Sequence, residues 1–574
     1  MLDDSSEDEG DNGVDVAGGG VVAEEREESD DDLDAPLPDD LSQLTLPQLK
    51  QLCRDRSLPS SGNKQALVDR LQKFVPGEQW QWQDDVPHVA APALDQTSHV
   101  VLGSVRGTQP IDFFDAVFPL SLVDLMATET NRYATQKGHI DTGYRRPTDR
   151  SELYRFLGVL LYMGIVRCTA VADYFPPSST NLPVVSNVFG FNRFRWLEQH
   201  LHLVDNEAPP QCPAVVQRVW PMVQTLRQSF ETILRPGSLV TIDESIVAYK
   251  GRHAAVQFFP QKPIRFGIKF WTVVDCRTLW ITTFDVFGGK GAAVEDDEDE
   301  PADSDGTDTD QLVLRLVDRV PKLGHHGRRV YIVDNFFTSI KLFIRLKDLG
   351  AGAMGTVRPR RLFIADKDFK AKTKALQYGQ SAFARRDPGL VLSLWREKKV
   401  VSMLSTEHVA GQVVHVKRLD KTTMQGRDVE APAAVRDYNA SMGAVDRVNS
   451  AINTRTPIIR FKRNWLKIFL RLHLMACWNA HCLYRLALGT SELAWRGFLS
   501  QLADELIARG SPPSSSSSDD QSHRMQFGAP EHACIACGRR TTMVCSSCGA
   551  TCKAEPIVYD PGSLPGKRPR SSST

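Results

Sequence analysis

The sequence predicts a multidomain α/β protein, and three observations carry that expectation. Between Ser238 and Val357, short β-branched and aromatic runs alternate with stretches of helical apolar spacing. Between Pro110 and Leu234 the apolar spacing is almost wholly helical, and two short stretches at the ends, Leu41–Phe74 and Cys534–Cys552, carry compact patterns of their own. A chain of 574 residues with 41% hydrophobic residues is long enough for several such bodies.

Residues 1–40 hold 17 Asp and Glu against one Arg, and this stretch is expected to be a disordered acidic tail. In 41–74, Thr45 stands before a first helical pattern (Leu46, Leu49, Leu52, Cys53). A turn at Leu58–Gly62 precedes a second (Leu67, Val68, Leu71), which makes a helical hairpin. Residues 75–108 read as a linker and 109–235 as a helical domain. Residues 236–358 give three strands (Leu239–Ile246, Phe266–Val274, Trp280–Val286), a helix (Gln311–Val320), a strand (Val330–Val333), a helix and a strand (Gly350–Val357). That is the order expected of an RNase H-like core, interrupted by a low-complexity acidic loop at 291–310. Runs within 359–432 predict a β-rich insertion, and helical patterns at Asn439–Ile452 and Trp465–Leu486 place a second part of the core at 433–490. Residues 491–530 read as linker, 531–556 as a cysteine-rich module and 557–574 as a basic, Ser-rich tail.

The net charge of −1 conceals an asymmetry. Outside 1–40 and Glu295–Asp310 there remain 43 acids against 68 Lys and Arg, a balance that suits a polyanionic partner. The N-terminus has no apolar core and is not read as a signal peptide, and Leu472–Tyr484 is too short and polar to span a bilayer, so no membrane is expected. Five of 11 cysteines crowd into Cys534–Cys552. Cys534–Cys537 and Cys545–Cys548 are two CxxC pairs, each followed by glycine, and four thiolates so spaced predict a structural Zn²⁺ site, with Cys552 a fifth candidate ligand.

Three aspartates draw the chemistry together: Asp243 in LVTIDESIVAYKGR, Asp334 in YIVDNFFTSI and Asp446 in YNASMGAVDRVN. Alone, Asp334 reads equally as an Asx turn or a helix cap. The first two aspartates end or interrupt strands of one sheet and the third sits on a helix, and carboxylates converging from such elements can instead hold two Mg²⁺ ions for in-line phosphoryl displacement. Around them, Lys250, Arg252, Lys262, Arg265, Lys269 and Arg358 are candidate phosphate contacts.

The words around these acids resemble the piggyBac family of transposases over about Gln109–Leu486: FFDAVFP, ETNRY, FLGVLLYMGIV, FNRFRWLEQHLHLVDN, IDES, YKGR, FFPQKPIRFGIK, VDNFFTS, GTVR and YNASMGAVDRVN. The resemblance implies a cut-and-paste transposase whose DDE triad is Asp243, Asp334 and Asp446, and the basic Lys567, Arg568 and Arg570 near the end point to the nucleus. It further implies that the chain works as a homodimer on double-stranded DNA, joining transposon ends to TTAA targets. Two departures bear on activity: Asn449 stands where the family often has a second acid, and Gly443–Ala444 where it has Gly-Gly. Leu41–Phe74 resembles a SAP motif, implying DNA contacts by Lys50, Arg54, Lys64 and Arg70. The added SAP-like motif, Asn449 and the short zinc module leave open a domesticated DNA-binding or chromatin-associated protein without transposition activity.

Overall fold

The computed structural model describes residues 41–55, 63–65, 67–68, 80–83, 87, 89–90, 94, 99–100, 105, 107–209, 212–260, 262–288, 309–323, 328–362, 366–419, 425–459, 463–489, 493–511, 525–533 and 540–545. The acidic tail, all but the last two residues of the acidic loop and most of the cysteine cluster therefore lie outside the described residues.

Helix α1 (Leu46–Asp55) follows Thr45, whose backbone amide donates to the Gln48 side chain at 2.9 Å, one half of a capping box. Its Leu49 and Cys53 are buried against Leu67 and Val68, the apolar face the hairpin reading requires. Strands β1 (Trp80–Gln83), β2 (Val89–Ala90) and β3 (His99–Val100) follow. Strand β1 corrects the linker reading of 75–108. It pairs with a strand three hundred residues on, and buried Trp80 donates its indole N–H to the Leu362 carbonyl at 2.7 Å.

Helices α2 (Pro110–Val117), α3 (Leu120–Gln136), α4 (Arg150–Ile165), α5 (Pro183–Ser186), α6 (Phe191–His200) and α7 (Trp220–Ile233) come next. Pro119 separates α2 from α3 and stands as the N-cap of the second. Asp149 caps α4 by accepting the Glu152 amide at 2.7 Å. These helices share one continuous apolar core with the sheet and with the last long helices of the first unit.

Strands β4 (Leu234–Arg235), β5 (Leu239–Ala248), β6 (Val256–Phe258), β7 (Phe266–Asp275) and β8 (Ile281–Val286) lead to α8 (Thr309–Arg319), β9 (Val330–Val333), α9 (Ile340–Asp348) and β10 (Gly352–Thr356). The ladder runs β8-β7-β5-β9-β10, with β5, β7 and β8 antiparallel and β5, β9 and β10 parallel. Apolar alternation splits the sheet between two cores. Leu239, Ile268 and Phe270 face the helical side, whereas Val240, Ile242, Trp271 and Val333 face α8 and α9.

After α10 (Asp366–Ala375), strands β11 (Ser381–Arg386), β12 (Leu390–Arg396) and β13 (Val400–Ser405) extend the same sheet through β13 against β10. Most of the β-rich insertion thus continues the core sheet. Strands β14 (Gln412–Leu419) and β15 (Gly426–Pro432) form a separate three-stranded sheet with β2.

The pattern expected to be one helix at Asn439–Ile452 is two, α11 (Ala433–Ser441) and α12 (Ala444–Asn453), divided at Met442–Gly443. Helix α13 (Asn464–Leu488) follows. Helix α14 (Trp495–Arg509) occupies ground read as linker. Phe498, Leu499, Leu502, Ala503 and Leu506 make a helical stripe buried against α4 and α2, and only the Ser-rich run beyond it is free of such periodicity. The second unit, Ser511–Thr574, contributes the antiparallel pair β16 (Met525–Ala533) and β17 (Arg540–Cys545). Among the described residues no helix is long and apolar enough to cross a membrane.

Candidate active site

Strand register brings the first two aspartates together. Parallel β5 and β9 pair Ile242 with Val333, so the next residues, Asp243 and Asp334, lie abreast on strands spaced about 4.8 Å. Asp243 is still within β5 and is 9% exposed, whereas Asp334 is the first residue past the end of β9 and half-buried.

Asp334 serves as the Asx turn its sequence allowed. Its Oδ1 accepts the Phe336 amide at 3.0 Å and the Phe337 amide at 3.4 Å, while its carbonyl accepts Thr338 Oγ1 at 2.8 Å. The helix cap is a different residue, Ser339, which accepts the Leu342 amide at 3.0 Å. From outside, Arg361 donates one terminal nitrogen to the carbonyls of Phe336 at 2.8 Å, Thr338 at 3.0 Å and Asn335 at 3.3 Å. The sequence shows Arg361 only as one of a basic run, and nothing there marks it as a clasp on this turn.

The third aspartate arrives on α12, which packs on β5 and β7. The junction of α11 and α12 is pinned where Thr241 Oγ1 donates to the Ser441 carbonyl at 3.0 Å. Asp446 lies in the first turn of α12 and is exposed.

Electrostatics record the convergence. Burial pushes the Asp243 carboxyl up, the Glu244 amide at 2.7 Å draws it partly back, and the charges of Asp334 and Asp446 push it up again, to about 7. Burial likewise raises Asp334, against the pull of the Phe336 and Phe337 amides. Tyr438, in the same motif as Asp446, is driven up to about 12 by burial, with Asp334 and Asp243 adding to the shift. Its phenol therefore stays neutral beside them. Among the described residues no three His, Cys, Asp or Glu side chains are grouped closely enough to hold a metal ion as they stand.

The expected phosphate contacts divide. Lys262 and Lys269 are engaged by Glu244, at 2.7 and 3.1 Å. Burial opposes the Glu244 charge, but these two ammonium groups outweigh it and hold its carboxyl below the ordinary value. The Lys269 ammonium also lies 5.3 Å from the ring centre of Phe336 and 5.5 Å from that of Phe259. Glu244 was visible in the IDES word, yet its pairing depends on a strand partner the sequence does not reveal. Lys250, Arg252 and Arg265 are exposed and Arg358 half-buried. Lys50 is half-buried on α1 and Lys64 exposed. The Arg54 side chain, Arg70, Cys534, Cys537, Cys548 and Cys552 lie outside the described residues, and of Cys545 only its place at the end of β17 is described.

Comparison with known proteins bears on the family and the fold. The family model described as Transposase IS4 matches residues 109–481, and that of the SAP domain matches 40–76. PiggyBac transposable element-derived protein 3 of Homo sapiens is 26% identical over 379 residues, covering 65% of this chain and 61% of that protein. PiggyBac transposable element-derived protein 2 of Homo sapiens is 23% identical over 345 residues, covering 60% and 56%. The chain thus spans about three fifths of the length of these curated relatives. In fold it is similar to the piggyBac transposase of a synaptic complex with hairpin DNA solved by cryo-electron microscopy. The TM-score is 0.61 at 20% identity, over 79% of this chain and 97% of that one. A sheet carrying aspartates abreast, a match across most of the chain and a shared fold lead to one conclusion: the chain belongs to the piggyBac-type Transposase IS4 family and carries a SAP domain.

Proposed function

We propose that this protein is a metal-dependent DNA transposase, cleaving element ends and joining them to TTAA targets from an RNase H-like DDE core. The observation that carries the reading is the register that sets Asp243 and Asp334 abreast, with Asp446 on the helix packed against β5; burial first, and then the charges of Asp334 and Asp446, push the Asp243 carboxyl up to about 7. The strand order β8-β7-β5-β9-β10, with α8 and α9 in the connections, supports the RNase H-like core.

The donor chemistry suits two Mg²⁺ ions, three carboxylates that are all hard oxygen ligands and whose mutual repulsion a cation relieves, although as they stand they are not drawn closely enough together to hold one. Bound, the ions would activate water or a 3′-hydroxyl and stabilise the charge of the displaced oxygen. Asp243 and Asp334 hold fixed positions on the sheet, and exposed Asp446 closes the set from α12. Lys262, now on Glu244, is placed to exchange that carboxylate for a phosphate of the bound strand, and the Tyr438 phenol keeps a neutral donor beside Asp334 and Asp243.

Extended to the whole chain, the reading has a homodimer in the nucleus joining two ends. Lys50, Arg54, Lys64 and Arg70 contact phosphates, and Cys534, Cys537, Cys545 and Cys548 hold Zn²⁺. The SAP match favours a second reading, a DNA-binding scaffold that no longer cuts.

A plasmid carrying the sequences that flank this coding region decides between them. With Mg²⁺, the full chain is expected to excise the insert and Asp334→Asn to leave it intact while still binding. Binding without excision by the unaltered chain would establish the scaffold reading instead.

A further inference from the structure

Arg471 lies on α13, 3% exposed, and faces α12, the helix that carries Asp446. Its Nη2 donates to Asn449 Oδ1 at 2.5 Å and its Nη1 to Asn453 Oδ1 at 3.4 Å, while its Nε has no acceptor. Both acceptors are neutral amides. Burial alone lowers the proton affinity of the guanidinium, to about 10, with no carboxylate acting to restore it. A buried cation without a counter-charge is costly, and an apolar side chain of like volume would fill the same space without that cost. What the arginine adds is a grip on two turns of one helix. Asn449 and Asn453 follow Asp446 by three and seven residues and so share a face of α12. Asn449 is half-buried and one turn from Asp446, and its amide oxygen is the atom Arg471 holds.

We propose that Arg471 is a positioning residue, the anchor that fixes the Asp446 helix through Asn449 and Asn453, and that Asn449 is thereby committed to this anchor and not to a metal ion. In its metal clause the proposal rests on the carboxylate site proposed above; the anchor itself does not.

Thermal unfolding of the full chain carrying Asn449→Asp, Arg471→Met, Arg471→Lys and their combinations tests this, first with EDTA and then with Mg²⁺. Asn449→Asp is expected to raise the midpoint by about 2 °C, equally with EDTA and with Mg²⁺, because the new carboxylate meets the guanidinium. Arg471→Met turns Asn449→Asp into a loss, whereas Arg471→Lys keeps part of the gain, since a cation still faces position 449. Should Arg471→Met fail to fold, the lysine pair decides by the same criterion. Additive shifts would overturn the anchor. A gain from Asn449→Asp seen only with Mg²⁺ would make position 449 a metal ligand and overturn the second clause. The EDTA series is independent of DNA cleavage, so the enzymatic reading can fail while the anchor stands.

Discussion

At Asp243 three effects meet on one carboxyl, and their order decides its behaviour. Burial is the largest, and the neighbouring aspartates add to it, so the native state binds this proton more tightly than the unfolded chain does. The sign follows. Stability falls as pH rises from about 4, the ordinary value, to about 7, the native one, and is flat beyond. Asp243→Asn removes the charge while keeping the shape. With EDTA at pH 8 it is expected to raise the unfolding midpoint by about 2–4 °C and at pH 4 to leave it nearly unchanged. Differential scanning at the two pH values checks this; an equal shift at both would assign the effect to packing. Glu244, one residue on, shows the contrasting outcome, an acid held below its ordinary value by two lysines against the pull of burial.

The turn after β9 shows how an element converts sequence into a site. Buried Val330–Val333 and the Ser339 cap fix where the strand stops and α9 starts, and Asp334 fills the interval as an Asx turn. The strand and the Asx turn were legible, because alternation and turn chemistry are local signals, whereas the cap falls to Ser339 and not to Asp334. Arg361 was not legible, because its three carbonyl partners are brought to it only by the return of β10. Arg361→Ala strands those carbonyls, a loss of about 2–3 kcal/mol at the usual strength of charged hydrogen bonds. Urea unfolding is expected to show that loss, with a higher Mg²⁺ requirement for any cleavage. An unchanged unfolding curve would mean the turn holds without its clasp. The same limit explains α14. Its apolar stripe was present in the sequence, but its face is completed only by α4 and α2, from the other end of the chain.

Over the whole molecule, the α/β class, the succession of strands and helices in the core and the aspartates in β5 and just past β9 were readable from runs and spacing. What was not readable is long-range. Strand β1 joins the edge of a sheet that residues 381–405 extend, and the helices of 110–233 share one core with α13 and α14. Pairings across three hundred residues leave no periodic trace, so such segments read as linker or as separate domains. The family match and the SAP match bear on the same molecule from outside, and the central claim they leave to experiment is that Asp243, Asp334 and Asp446 act as one cation site. A Mg²⁺ titration of the full chain at pH 8, followed by the unfolding midpoint, measures this directly. The account predicts a saturable rise for the unaltered chain that is lost in Asp243→Asn, in Asp334→Asn and in Asp446→Asn alike. A rise that survives in all three variants, or no rise in the unaltered chain, would contradict it.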